Sequence, residues 1–263
     1  MRRSIRRMVE RLSRGRVLKR RLPEDLGGAA IFVTPDAALK LWGYNLRRFD
    51  PALLDAAEEL VFPGARVWDV GANVGLFAFG SAFLAGEEGA VRAVEPDPFL
   101  ASLLRRSAAS QPPGRAPVEV IEAAATATAG TAELLIAERG RAANHLAAVN
   151  GSSQAGGLRT VREVQAFALD GLLETGPPPD VLKIDVEGAE MLALQGAARL
   201  LSQIRPRIYC EVAAENSVAA GDLFSAFDYD VFDASLPAAK RSPLRAAPWN
   251  ALAVPRPREG DPA

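Results

Sequence analysis

The sequence predicts an α/β fold, a mostly parallel sheet with helices on both faces. Two observations carry that expectation. From residue 66 onward, short β-rich runs alternate with helical stretches, which is how a parallel sheet covered by helices reads in sequence. The first run also ends in WDVGANVG (68–75), where an acid, two glycines and an asparagine interrupt an apolar stretch and mark a strand-to-helix turn.

In chain order, Ile5, Met8, Val9 and Leu12 fall at i, i+3, i+4 and i+7 among arginines, so the first segment reads as an amphipathic helix that Gly15 ends. AAIFVTPDAALKLW (29–42) reads as one or two short strands interrupted by Pro35, and PALLDAAEEL (51–60) as a helix with Pro51 in its first turn. The β-rich runs are then 66–70, 90–94, 117–121, 180–185 and 207–212, with helices at 74–85, 98–110 and 188–202. Segments 131–138 and 158–168 read as extra strands around a Gly/Ser/Ala-rich loop, 147–157. DYDVFD (228–233) and WNALAVP (249–255) supply two last strands that close the sheet antiparallel, and Pro/Gly-rich 251–263 is expected to fray. The expected organisation is a basic amphipathic segment (1–21), a strand/helix extension (22–60), one catalytic-type domain (61–255) and a flexible tail (256–263).

Composition bounds the function. With 263 residues, 49% of them hydrophobic and 24% charged, the chain is long enough for one sizeable core. Residues 1–21 hold ten basic side chains and one acid, a net of +9, so with −1 for the whole chain the remainder carries −10. One cysteine, Cys210, and one histidine, His145, allow neither an internal disulfide nor a Cys/His zinc cluster. No apolar run is long enough to cross a bilayer, and the arginine-rich start lacks the apolar block of a secretory signal. The expected location is cytoplasmic. Ten cations around a narrow apolar stripe suit peripheral contact between residues 1–21 and an anionic membrane.

At the WDVGANVG turn, the free N–H groups of the following helix point at whatever occupies the turn, and an anionic group fits there. Gly71 is expected to let a ligand approach the backbone, and Gly75 to let the helix pack close to the strand. The next strand ends in Glu95, twenty residues past Gly75, where doubly wound folds keep an acid for ribose hydroxyls. The glycine spacing is G-x-x-x-G rather than G-x-G-x-x-G, with Asn73 where a pyrophosphate would need glycine. A nucleoside carrying a smaller anion, a carboxylate, fits better. Asp69 beside it suits an α-ammonium group, so S-adenosylmethionine is the expected ligand.

A second constellation is VLKIDVEGAE (181–190). Strand alternation puts Leu182 and Ile184 on one face and Lys183 and Asp185 on the other. Asp185, Glu187 and, at the end of the following strand, Glu211 should gather with Asp69 beyond the C-terminal strand ends. Such crowding makes a general base or holds a hard cation, and Asp185 and Glu211 are the candidate ligands for Mg²⁺. Glu190, in the first turn of the next helix, is expected only to offset its dipole.

DVGANVGLF, VEPDP (94–98), FALDGLL (167–173), LKIDVEGAEMLALQGA (182–197) and IYCEV together resemble the FkbM family of S-adenosylmethionine-dependent methyltransferases, over roughly residues 50–255. The resemblance implies a class I methyltransferase, Rossmann-like fold with a seven-stranded sheet whose last strand is inserted antiparallel. It also implies methylation of a hydroxyl on a sugar, polyketide or related natural product or glycan. By matched position, Asp69, Gly71, Asn73 and Gly75 would hold the methionine end, Glu95 the ribose, and Asp185, Glu187 and Glu211 the substrate side. Where the family often has an asparagine and a small residue near the adenine, this chain reads IEAAA (121–125), giving Glu122 and Ala123 as the adenine contacts.

His145, beside the Gly/Ser/Ala-rich loop, is a further candidate base, whereas Cys210 reads as a small buried hydrophobe and Trp68, Phe77, Phe79 and Phe83 as core packing. Two other classes compete. A dinucleotide-dependent oxidoreductase lacks its glycine spacing here. A noncatalytic RNA-binding adaptor would need an aromatic platform, which the sequence lacks, so no nucleic-acid partner is expected.

Overall fold

The computed structural model describes residues 2–149 and 156–258. Parts of the expected loop (150–155) and tail (259–263) lie outside the described residues, as do the side chains of residues 1–5 and 7. Helix α1 (Arg2–Ser13) leads into a hairpin of β1 (Leu18–Arg21) and β2 (Ala30–Val33). The expected division between residues 21 and 22 therefore falls at the end of a strand that pairs with β2 beyond it. The second strand considered for 29–42 is replaced by a 3₁₀ turn, Leu39–Trp42, after Pro35 removes a backbone donor.

Helix α2 (Pro51–Leu60) starts with Pro51 at its first position, and the Asp50 side chain accepts from Leu53 N–H at 3.0 Å. The central unit then alternates β3 (Arg66–Val70), α3 (Leu76–Ala85), β4 (Ala90–Val94), α4 (Pro98–Ala108) and β5 (Val118–Ile121). Asp97 caps α4 through Phe99 N–H at 2.9 Å. A small separate sheet, in the order β6-β9-β7-β8, follows from β6 (Ala124–Ala125), β7 (Gly130–Ala137), β8 (His145–Leu146) and β9 (Leu158–Phe167). The chain returns to the main sheet through β10 (Val181–Ile184), α5 (Glu190–Gln195), β11 (Arg207–Glu211), α6 (Ser217–Ala226), β12 (Tyr229–Asp233) and β13 (Asn250–Pro255).

The main sheet has seven strands in the order β12-β13-β11-β10-β3-β4-β5. Only β13 is antiparallel: it lies between β11 and β12 and opposes both, so β12 runs with the parallel set. This is the inserted last strand that the resemblance implied. Of the residues expected to fray, 251–253 are paired on both sides and 254–255 with β12, and Arg256 N–H still donates to Asp228 O at 2.8 Å. The long helix expected at 188–202 ends at Gln195 and resumes as a π-helical turn, Leu200–Ile204.

Strand alternation separates two cores. Val67, Val91, Val181 and Tyr209 face α2, α3 and α4, while Trp68, Leu182, Ile184 and Cys210 face α5 and α6. The N-terminal extension belongs to the first core, through Leu26, Ile31 and Leu41. Trp68, Phe77 and Phe79 are buried as expected; Phe83 is the exception, 38% exposed beneath the Arg115 guanidinium.

Candidate active site

The turn after β3 is built by backbone geometry. Gly71, Asn73 and Gly75 all have positive φ, at 78°, 52° and 87°. Gly71 and Ala72 N–H groups both donate to Val94 O at 2.9 Å, binding the turn to the end of β4. A Cβ on Gly71 would overlap the carbonyl oxygen of Asp185, so the end of β10 by itself requires glycine there. A Cβ on Gly75 would lie 2.6 Å from Phe79 and 2.7 Å from Leu104, so that glycine serves the packing of α3 and α4 rather than helix-to-strand contact.

Above this turn, the C-terminal ends of β3, β4, β10 and β11 open into one cavity, walled on the far side by residues 141–146 and by the start of α2. Gly71, Asn73, Glu95 and Ala123 line it, as do all four expected catalytic residues, Asp185, Glu187, Glu211 and His145. Asp69, Gly75 and Glu122 do not. Glu122 is instead paired with Arg105 at 2.6 Å, because a carboxylate on that edge finds a guanidinium within reach.

Asp69 is fully buried beneath the cavity, and Lys183 explains why. The two residues sit opposite each other in the β3–β10 register, with Lys183 Nζ 3.1 Å from Asp69 Oδ1. Lys183 also donates to Gly71 O at 2.7 Å and lies 3.5 Å from Asp185 Oδ2. Burial pulls its pKa down, but the charges of Asp69 and Asp185 outweigh that and hold it above the ordinary lysine value. Asp69 therefore lies below the cavity lining, paired with Lys183.

Glu95 is buried, and both its oxygens are used: Asn73 N–H donates to Oε2 at 2.8 Å and Asp97 N–H to Oε1 at 2.9 Å. Burial pushes its carboxyl up to about 7. Each oxygen retains a second lone pair. Nearby, Asn73 Oδ1 is buried with no hydrogen-bond partner.

The other end of the cavity is acidic, with Asp50, Asp185, Glu187 and Glu211 along one side. Burial, then the charge of Asp185, raises Glu187 to about 8, and the same two causes raise Glu211 to about 8. Glu187 has positive φ, 45°, on a turn held from below by Glu190, which accepts from Gly188 N–H at 2.6 Å and Asn216 Nδ2 at 3.0 Å. Glu190 is therefore a buried support outside the cavity. The donor set does not fit Mg²⁺. Among the described residues no three His, Cys, Asp or Glu side chains converge as a metal site, and the cation beside Asp185 is Lys183.

Phe49 and Asp50, from the N-terminal extension, and Arg141 and Asn144 also line the cavity, and none was singled out from sequence. Asp50, the residue before α2, has nothing in its local sequence to place it near Glu211. Arg141 bridges Asp36 at 2.8 Å and Asp97 at 2.5 Å, and Asn144 donates to Asp97 at 2.8 Å. These contacts fix the wall that carries His145, whose Nδ1 lies 3.2 Å from Ala143 O.

Residues 69–229 match the model of the methyltransferase FkbM domain. No curated protein matches the chain in sequence. Among solved structures, it is similar to the methyltransferase FkbM of Methylobacillus flagellatus, at 15% identity and a TM-score of 0.43, over 96% of this chain and 58% of that one. It thus spans little more than half the length of that relative. It is also similar to the precorrin-6y C5,15-methyltransferase of Geobacter metallireducens, at 14% identity and a TM-score of 0.42, over 77% and 84% of the two chains. With the family model covering more than half of its residues, the chain belongs to the FkbM family of S-adenosylmethionine-dependent methyltransferases.

Proposed function

We propose that the protein transfers the methyl group of S-adenosylmethionine to a hydroxyl oxygen of a small molecule or glycan, such as a sugar or polyketide. The observation that carries this reading is the polarity of the cavity: Glu95 with the positive-φ turn at one end, and the carboxyls of Asp185, Glu187 and Glu211 at the other. S-adenosylmethionine, when bound, supplies an electrophilic methyl on sulfur.

The remaining chemistry falls to the chain. Glu95 accepts from the ribose hydroxyls through its free lone pairs, and the orphan Asn73 Oδ1 is an acceptor for a ligand N–H. Ala123 lies against the adenine, where a small side chain leaves room for a flat base. Phe77, Leu100, Leu134 and Leu146 supply apolar wall that excludes water. Asp185 orients the acceptor hydroxyl, and Glu187 or Glu211, poised near 8, takes its proton as the oxygen attacks; His145 is the reserve base. Alignment of oxygen and methyl at near-attack distance is the main source of rate.

Incubation with methyl-labelled S-adenosylmethionine and a panel of sugars, polyketides, amines and thiols tests the reading. Label on a hydroxyl oxygen supports it. Label only on nitrogen, sulfur or carbon acceptors refutes the acceptor class while leaving the cofactor assignment intact.

A further inference from the structure

Helix α1 is mounted with its polar side inward. Glu10 and Ser13 are buried against the body, and Glu10 pairs with Arg6 at 3.0 Å and with Arg139 at 3.3 Å. Met8 and Leu12, one helical turn apart, point away from the protein and are 57% and 54% exposed. A surface helix ordinarily buries its apolar stripe and shows its charges to water. Here Met8 and Leu12 face water, while Val9 is half-buried.

The surroundings of that stripe specify what covers it. Arg11 is exposed on the helix, Arg16 is exposed just past it and donates to Leu12 O at 2.8 Å, Lys19 is exposed on β1 over the Phe32 ring, and none of the three makes an ion pair among the described residues. Trp42, 38% exposed, donates its indole N–H to Ser13 Oγ at 3.0 Å on the buried side of α1, and Tyr44 is 84% exposed under the Arg20 guanidinium. Exposed apolar side chains on a helix that also shows arginine suit an anionic bilayer surface, where acyl chains lie beneath anionic headgroups.

We propose that α1 docks the protein on an anionic lipid bilayer, Met8 and Leu12 entering the acyl boundary while Arg11, Arg16 and Lys19 meet the headgroups. The same helix is also tied to the segment that leads into the cavity wall. Arg14 pairs with Glu138 at 2.5 Å and Arg139 with Glu10, immediately before the 141–146 segment that lines the cavity. Docking therefore fixes the catalytic cavity close to the membrane surface. The inference goes beyond methyl transfer and stands or falls separately from it.

The test is sedimentation of the full chain with vesicles of phosphatidylcholine alone and of an equimolar phosphatidylcholine–phosphatidylglycerol mixture. The wild type should pellet with the anionic vesicles at low salt, remain in solution with the zwitterionic ones, and be released by salt. The double variant Met8→Asp/Leu12→Asp, both positions exposed, should keep its circular dichroism and thermal midpoint yet bind at least about tenfold more weakly. Arg11→Glu should weaken binding in the same direction. A wild type that stays in the supernatant overturns the proposal, as does a double variant that pellets like wild type. So does a wild-type dimer in sedimentation velocity that the double variant dissolves without any vesicle binding, since a second copy would then cover the stripe.

Discussion

Lys183 Nζ lies 3.1 Å from Asp69 Oδ1 with both side chains buried, so the acid of the DVGANVG turn is paired with a lysine of the neighbouring strand. The carboxylate's counter-charge is then part of the fold. Replacing the lysine alone, as in Lys183→Met, leaves Asp69 buried without it and should cost about 3 to 5 kcal/mol. The double change Lys183→Met/Asp69→Leu should recover part of that loss. Urea unfolding of the three proteins measures both quantities, and a loss below about 1 kcal/mol for the single variant would show that the pair is not structural.

The turn itself offers a controlled comparison. Gly71→Ala both strains the positive φ and drives a methyl into the Asp185 carbonyl, whereas Gly64, also at positive φ, has open space around its Cβ position. Gly64→Ala should cost about 1 kcal/mol from backbone strain alone. Gly71→Ala should cost several times as much, or prevent folding. Equal midpoints in thermal unfolding would mean that the β3–β10 junction tolerates a shift.

The parts legible in the sequence are those with a local signature. Alternation of Leu182 and Ile184 against Lys183 and Asp185 placed the strand faces correctly, and the spacing from Gly75 to Glu95 located a cavity residue. What escaped depends on pairing across the chain. The ion pair of Lys183 with Asp69 follows from the β3–β10 register, and the roles of Gly71 and Gly75 from which atoms meet their missing Cβ. Asp50 and Arg141 reach the cavity only because the N-terminal extension and the small sheet fold over the strand ends. Nothing local marks that.

The crowded carboxyls impose a pH dependence on stability. Glu95, Glu187 and Glu211 have folded values of about 7, 8 and 8, against an ordinary glutamate value of 4.5. Each group holds its proton more tightly in the folded chain. Its contribution is present in full below the unfolded value and is lost as pH rises through the folded one. The ligand-free protein should therefore lose thermal stability from about pH 5 to about pH 9, with Glu187→Gln flattening the decline. Calorimetric midpoints that are level or rising over that window would contradict these folded values.

Asp185 separates binding from chemistry. Asp185→Asn keeps the shape and one acceptor at the acidic end, away from Glu95, so S-adenosylmethionine should bind within a few fold of wild type. Turnover should fall at least about a hundredfold, because orientation of the acceptor is lost and the neighbouring carboxyls lose a charge that raises them. With Lys183 as the cation beside Asp185, EDTA should leave wild-type turnover unchanged. Normal turnover by the variant removes the orienting role of Asp185, and inhibition by EDTA that Mg²⁺ reverses would restore a metal to the mechanism.

The most direct measurement is a crystal structure of the protein with S-adenosylhomocysteine, which has lost the methyl group but keeps every other recognition element. Its ribose hydroxyls should lie within about 3.2 Å of the Glu95 oxygens, with the sulfur turned toward Asp185, Glu187 and Glu211. A ligand bound in the reverse direction, or outside the cavity while Glu95 stays shut on Asn73 and Asp97, would contradict the assignment of the two ends.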